Sequence, residues 1–232
     1  MTKFNMLSAV LAGATLLFPA GSFAKDGPAT KRITEADTVL HEIMDTNDKS
    51  IPQDLLDKAQ CIVIVPGLKK GAFIIGGKFG KGFVSCRGEK GVGWSAPAGI
   101  RVEGGSFGFQ IGGSETDVIM LVLNERGMDK LLSNKFTVGA DASVAAGPVG
   151  RTASAETDAA LRAEILTWSR ARGVFAGIAL NGATLRPDEE GNIELYGKNV
   201  ENKDIVSGKY PTPEIAQKLV GSLNKYSSRK TK

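Results

Sequence analysis

Residues 94–117 read WSAPAGIRVEGGSFGFQIGGSETD, and the apolar run VIMLVL follows at 118–123. Glycines stand at positions 99, 104, 105, 108, 112 and 113, interleaved with apolar residues. So many glycines would drain a helix of stability, whereas in strands they permit close backbone approach while leaving gaps where side chains would pack. The stretch therefore predicts sheet, and the rest of the chain is expected to build around it.

Upstream, CIVIV at 61–65 is a β-branched run of the kind found in a central strand, and Pro66-Gly67 is expected to stop it. Short strands are predicted at 72–75, 78–85 and 91–95, separated by paired glycines or by the charged turn Arg87-Gly88-Glu89-Lys90. The sheet is expected to continue through 102–112 and 118–123. Further upstream, Ile33, Ala36, Leu40 and Ile43 recur at helical spacing from Thr30 onward. Mixed charges on the other faces, with no aromatic on the apolar stripe, favour a helix docked on the domain over one lying on a bilayer. Pro52 suits the start of a short helix over 53–59.

Downstream, 125–133 predicts a short helix and FTVGADASVAAG at 136–147 alternates in the manner of a strand. Residues 155–172 admit a helical stripe or a ragged lead into a hairpin with 174–180. The hairpin is the reading adopted, because Arg170-Ala171-Arg172-Gly173 is a tight turn between apolar segments. Asp188 to Gly191 is read as a turn, Tyr196-Gly197 as the close of the sheet, and 198–211 as linker-like. Thr212 is expected to cap a last helix with Pro213 at its first position and Ile215, Leu219 and Leu223 inward.

With 232 residues, 42% hydrophobic and 23% charged, the chain suits one globular domain with appended ends. Its predicted class is α+β: a glycine-rich, mainly antiparallel β-sheet, sandwich- or barrel-like, flanked by N- and C-terminal helices. The parts are a leader (1–24), an amphipathic helical region (25–50), the sheet domain (51–197) and a linker with the last helix (198–232).

The leader has Lys3, an apolar region over 7–18 and a small-x-small site at Ser22-Phe23-Ala24, the pattern of a cleaved export signal. Pro19 and Gly21 break the run too early for a comfortable membrane span. Export to a periplasm or outer envelope is the expected localisation. An oxidising exterior permits one disulfide between Cys61 and Cys86, whose neighbourhoods are both strand-like; two separate small buried residues is the alternative.

Familiar catalytic and cofactor patterns fail on inspection. Gly104-Gly105-Ser106-Phe107-Gly108 matches the nucleophile-elbow pattern, but the chain's one histidine, His41, lies upstream of the serine. Gly91-Val92-Gly93-Trp94-Ser95-Ala96 matches a dinucleotide fingerprint, but Pro97 and Gly99 interrupt the helix it requires. One histidine and two cysteines do not make a zinc cage, and Glu103, Glu115, Asp117 and Asp141 lack the spacing of a calcium loop. No cofactor, metal or catalytic residue is assigned. Phe73, Phe79, Phe83, Phe107 and Phe109 sit at strand spacing as core residues do, and a net charge of +4 is modest, so nucleic acid is not an expected partner.

What stands out is a set of basic residues beside the turns of the meander: Lys69, Lys70, Lys78, Lys81 and Arg87. Gathered at one end of a sheet, they would present a cationic edge to phosphate headgroups at about 1 kcal/mol each. Dispersed, they would be ordinary solubilising lysines.

Four segments carry a family resemblance: KKGAFIIGGKFGKGFVSCR from Lys69, the stretch from Trp94 through ETDVIMLVLNERG, FTVGADASVAAGPVGR from Phe136, and WSRARGVFAGIALNGATLRPD from Trp168. Together they resemble the SYLF family from about residue 53 to 196 and look most like its secreted bacterial branch. The family comprises lipid-binding domains, also described as an actin-binding module in yeast endocytic proteins. The resemblance implies no catalysis. It implies binding to anionic phospholipids at a membrane surface, phosphoinositides in eukaryotic members and phosphatidylglycerol or cardiolipin in a bacterial envelope. An envelope protein partner, of unknown identity, is the alternative. Lys69 and Lys70 are carried over as lipid candidates, and Arg151 lies in a matching motif, GPVGR, where pairing with Asp117 or Asp141 is its other reading.

Overall fold

The computed structural model describes residues 27–46, 50–72, 75–88, 91–107, 112–150, 162–171, 174–178 and 180–227. The proposed leader and Arg151 lie outside these residues. The architecture is α+β: a curled, mostly antiparallel sheet forming a half-barrel, with helices at both ends of the chain.

Strand β1 (Cys61–Ala72) lies between β2 (Ile75–Cys86) and β4 (Gly112–Val122), with β3 (Ala98–Phe107) beyond β2. Its burial pattern explains its central place. Ile62 and Ile64 face one core with Ile119, Leu121, Phe83 and Trp168, whereas Cys61, Val63 and Val65 face another with Val118, Met120 and Val122. A strand buried on both faces reads as a continuous apolar run because alternate residues enter opposite cores.

Pro66-Gly67 does not end β1. The pairing register jumps between Val65 and Leu68, so these residues form a bulge and the strand resumes. Gly67 has φ of +58°, and its N–H donates to Asp117 Oδ1 at 2.9 Å. A proline is tolerated there because a bulge frees its position from the ladder.

Helix α1 (Pro28–Met44) covers the first core with Ala29, Ile33, Ala36, Val39, Leu40 and Ile43, each no more than 3% exposed. At about 1.5–3 kcal/mol for each large aliphatic side chain, this burial holds the helix on the domain. No side chain of its own caps its start; instead the Glu194 carboxylate accepts from the N–H groups of Ala29 and Thr30 at 2.9–3.0 Å. An anion at those free donors also complements the helix dipole. Helix α2 (Gln53–Lys58) buries Leu55 and Leu56 beside it.

The remaining strands complete the curl, in the order β5 (Phe136–Thr137), β9 (Thr184–Pro187), β3, β2, β1, β4, β7 (Ile165–Ala171), β6 (Val144–Ala146), with β8 (Val174–Gly177) also paired to β7. The β7–β8 pairing is the antiparallel hairpin expected from the Arg-Ala-Arg-Gly turn. Helix α3 (Glu125–Leu131) is capped by Asn124, whose side chain accepts from Gly127 N–H at 2.7 Å.

Several local expectations are corrected. Residues 91–95 are not a strand, because Gly91 and Gly93 take positive φ and only an isolated bridge joins Arg87 to Trp94. Strand β3 starts earlier than expected, at Ala98, and β4 extends back through the polar segment to Gly112. The predicted strand over 136–147 is two short strands around a turn that Asp141 fixes by accepting from Thr137 N–H at 2.6 Å. Asp188 precedes a helix, α4 (Glu189–Tyr196), so residues 188–191 are no turn and Tyr196-Gly197 does not close the sheet. Gly197 instead ends that helix at φ +71°.

The linker-like segment contains α5 (Asn202–Val206), whose Ile205 and Val206 join the second core. Pro213, not Thr212, stands at the cap of a 3-10 turn (Glu214–Ala216) leading into α6 (Gln217–Tyr226). Leu219 and Leu223 are buried as expected, but Ile215 is 40% exposed.

Candidate functional site

The strand register divides the predicted basic set. Lys69 pairs across β1–β2 with Phe79, and Lys70 pairs with Lys78. Successive strand residues point to opposite faces, so Lys70 and Lys78 share one face while Lys69 and Phe79 share the other. Two ammonium groups directly opposed on neighbouring strands repel. The Lys70 pKa is accordingly below its ordinary value, first through burial and then through Lys78. On the Lys69 face, Phe79 is 53% exposed.

The other two meander residues leave this patch. Lys81 donates to Asp188 at 2.7 Å and to Glu190 at 3.2 Å. Burial opposes its charge, but those hydrogen bonds outweigh it and hold the pKa above the ordinary value. Arg87 is only 6% exposed and lies 3.9 Å from the Trp94 ring centre. Its guanidinium donates to the carbonyls of Leu56, Ala59 and Ser227 at 2.7–3.3 Å and to Ser227 Oγ. It joins the end of α2 to the end of α6, so it is a fastening inside the fold and is no surface contact. That role depends on Ser227, which is remote in sequence, and no local pattern signals it.

The acidic residues disperse in the same way. Asp117 takes Arg170 through Nε at 2.7 Å and Nη2 at 2.6 Å. Glu103 sits near Arg101 at 3.1 Å and Arg186 at 3.6 Å. Among the described residues no cluster of three His, Cys, Asp or Glu side chains could hold a metal ion. Arg170 also pairs with Glu42 of α1, a link that no local sequence pattern marks. It borders a cleft of about 690 Å³ between α1 and the β1 bulge, with Glu35, Glu115 and Asp117 also on its walls. Because these charges are mixed and Arg170 and Asp117 satisfy each other, the cleft has no single-sign ligand preference.

The nucleophile-elbow match dissolves in the strand geometry. Ser106 lies within β3, paired with Gly76, rather than at a strand-to-helix turn. The dinucleotide match likewise leads into β3 without a helix. His41 is engaged at the α1–α6 contact: its Nε2 is 3.0 Å from Ser222 Oγ and its Nδ1 is 2.7 Å from Tyr226 OH. Ser222 donates to the buried Asp37 at 2.6 Å. The carboxylate thus binds the serine rather than orienting the histidine, unlike the relay of a hydrolytic triad.

Cys61 and Cys86 are joined by a disulfide between register partners of β1 and β2 and are buried to 0–1% exposure. No described helix is long and apolar enough to cross a membrane.

The fold and these contacts define a compact α+β domain whose sheet has a cationic end. A family model described as Las17-binding protein actin regulator, Ysc84, matches residues 103–226, and the chain belongs to this Ysc84 (SYLF) family. It is similar to the SH3 domain-containing YSC84-like protein 1 of Rattus norvegicus, 31% identical over 183 residues covering 78% of this chain and 53% of the relative. Protein YSC84 of Saccharomyces cerevisiae is 32% identical over 179 residues, covering 76% and 38%. An SH3 domain-containing protein of Schizosaccharomyces pombe is 34% identical over 178 residues, covering 75% and 41%. The chain therefore spans about half or less of the length of these relatives. The rat and Schizosaccharomyces pombe relatives are named for an SH3 domain, and the family model for Las17 binding.

Proposed function

We propose that this chain is a non-enzymatic, exported protein of the bacterial periplasm or outer envelope that binds anionic phospholipid surfaces. The observation carrying the proposal is the Lys70–Lys78 pair: two cations opposed across neighbouring strands, with no ion pair to either among the described residues. An arrangement that costs the isolated fold free energy is relieved by a bound phosphate. Lys69 adds a third cation on the opposite face of the same sheet end. The leader and the disulfide, which suits an oxidising compartment, support export.

The test is co-sedimentation of protein lacking residues 1–24 with phosphatidylglycerol vesicles and with neutral phosphatidylcholine vesicles. Binding confined to the anionic vesicles, weakened by salt and by the double change Lys70→Glu and Lys78→Glu, is expected. At about 1 kcal/mol per lysine, loss of both attractions corresponds to roughly thirtyfold weaker binding. Indifference to vesicle charge and to both substitutions would overturn the lipid reading. A protein partner is the second reading, favoured by the Las17-binding description of the family.

A further inference from the structure

A buried hydroxyl stands without a partner beside the lysine pair. On β4, strand alternation puts Ser114 and Thr116 on the face by which Val118 enters the second core. The same rule puts Lys70 with Leu68 on β1, Lys78 with Gly80 on β2, and Gly104 with Val102 on β3, all on that face. The register then sets Ser114 opposite Lys70, Lys70 opposite Lys78, and Lys78 opposite Gly104, with Thr116 one row inward opposite Leu68. Thr116 is only 7% exposed, yet its Oγ1 has no hydrogen-bond partner among the described residues. Buried polar atoms are paired as a rule, and an unpaired one is costly enough to call for a ligand or another cause.

The surroundings select an anion. The acidic residues nearest in the ladder, Glu115 opposite Lys69 and Glu103 opposite Phe79, stand on the other face, so neither meets the lysine pair. Lys70 is partly buried, and its pKa is lowered first by that burial and then by Lys78. Gly104 leaves the space beside Lys78 without a side chain, and the next chain segment closes over it: a β-carbon there would lie 3.2 Å from the Gly182 carbonyl oxygen and 3.4 Å from Ala183 Cα. Leu68 and Val102, both at 0% exposure, bound the row on its inner side. Thr116 lies diagonally across from Lys70, at a separation of about 7–8 Å for such positions, which a long side chain or a small bridging group spans.

We infer that Lys70, Lys78 and the Thr116 hydroxyl form a discrete site for a single phosphate group, carried by a lipid headgroup or by a soluble phosphoester. The inference rests on the lipid reading above for the two lysines and adds Thr116, the residue that distinguishes a seated phosphate from diffuse surface attraction. The phosphate oxygens accept from both ammonium groups and from the hydroxyl together, so one ligand relieves the lysine repulsion and pairs the orphaned oxygen. The ligand reaches Thr116 from the Lys70 side, where a flexible lysine chain is what gives way.

The test combines calorimetric titration with glycerol phosphate at constant ionic strength and co-sedimentation with phosphatidylglycerol vesicles. The wild type should bind one glycerol phosphate, and glycerol phosphate should compete with the vesicles. Thr116→Val, which puts a methyl in place of the unpaired oxygen, should keep or raise the melting temperature but bind glycerol phosphate about tenfold more weakly or worse. Thr116→Ser, which keeps the hydroxyl, should bind as the wild type does. Lys70→Gln with Lys78→Gln, both at partly exposed positions, should lose the complex. No glycerol phosphate complex in the wild type, or equal binding by wild type and Thr116→Val, would overturn the inference; so would a complex that survives the double lysine change. Vesicle binding that persists in any of those cases would leave the lipid reading standing on surface charge alone. A Thr116-dependent glycerol phosphate complex in a protein that ignores the vesicles would support the site, make its ligand a soluble phosphoester, and reject the lipid reading.

Discussion

At Gly82 a β-carbon would collide with the Ile64 carbonyl and lie 2.8 Å from Val65 Cα; at Gly77, farther back on the same strand, it would touch nothing within 4 Å. Gly80 behaves like Gly82, with Leu68 Cδ1 at 2.8 Å and Val65 Cγ1 at 3.0 Å. The glycines near the buried end let β2 pass close beneath the β1 bulge, a demand of packing. Those at the open end answer no packing demand, although glycine in a strand costs about 0.5–1 kcal/mol relative to alanine. Gly80 and Gly82 also lie on the opposite face of β2 from Gly77, so similar Gly-x sequence meets a packed face at one end of the sheet and an open face at the other.

The largest expected difference comes from placing one substitution at both ends. Gly82→Val should destabilise the protein by on the order of 3 kcal/mol or more through overpacking against backbone. Gly77→Val should be neutral or stabilising by a few tenths of a kcal/mol. Urea denaturation of both variants measures the contrast. Equal losses would show that the two regions pack alike.

The disulfide fastens the buried end alone. Cys61 and Cys86 are separated by 25 residues, so replacing both with alanine should cost about 2–4 kcal/mol of stability. Thermal unfolding should report that loss, while any anionic-vesicle binding of the folded protein should persist below the unfolding transition because the lysines sit at the opposite end of the hairpin. Loss of binding before unfolding would break the separation between the two ends.

This division also marks how far the sequence could be read. CIVIV and VIMLVL announced two central strands because burial on both faces demands an uninterrupted apolar run. The periodicity of α1 was equally clear, since one face meets the core. Pro66-Gly67 looked like a stop because a bulge depends on the partner strand, here through Asp117. Residues 189–196 looked like turn and strand because their helix has little amphipathic pattern; Asn192 is held by partners distant in sequence, donating to Asn202 Oδ1 and accepting from Gly99 N–H. At the candidate site, the lysines were visible as charges. Their division between faces depends on the register, and Arg87 reads in sequence as a surface cation because its acceptors come from Leu56, Ala59 and Ser227, none adjacent to it in the chain.

The smallest expected effect tests the lysines themselves. Lys70 has a native pKa below 10.5, so just under that pH the unfolded chain holds its proton more tightly than the native protein does. Its contribution to stability therefore rises with pH through this window, as the burial cost of its charge and, secondarily, the repulsion from Lys78 are relieved. Lys81 has the opposite sign: its raised pKa gives stability that is complete below 10.5 and is lost as pH climbs through the higher native value. The two lysines thus act in adjacent windows. Lys78→Gln should make the rise below pH 10.5 shallower without abolishing it, because burial of Lys70 remains, and should leave the fall above it, measured by urea denaturation across the alkaline range. Substituting Lys78 should also raise stability near neutral pH by about 0.2–1 kcal/mol, because a like-charge cross-strand pair is removed. An unchanged slope would mean that burial alone depresses Lys70, and the opposed lysines would no longer be the strained feature that a phosphate relieves.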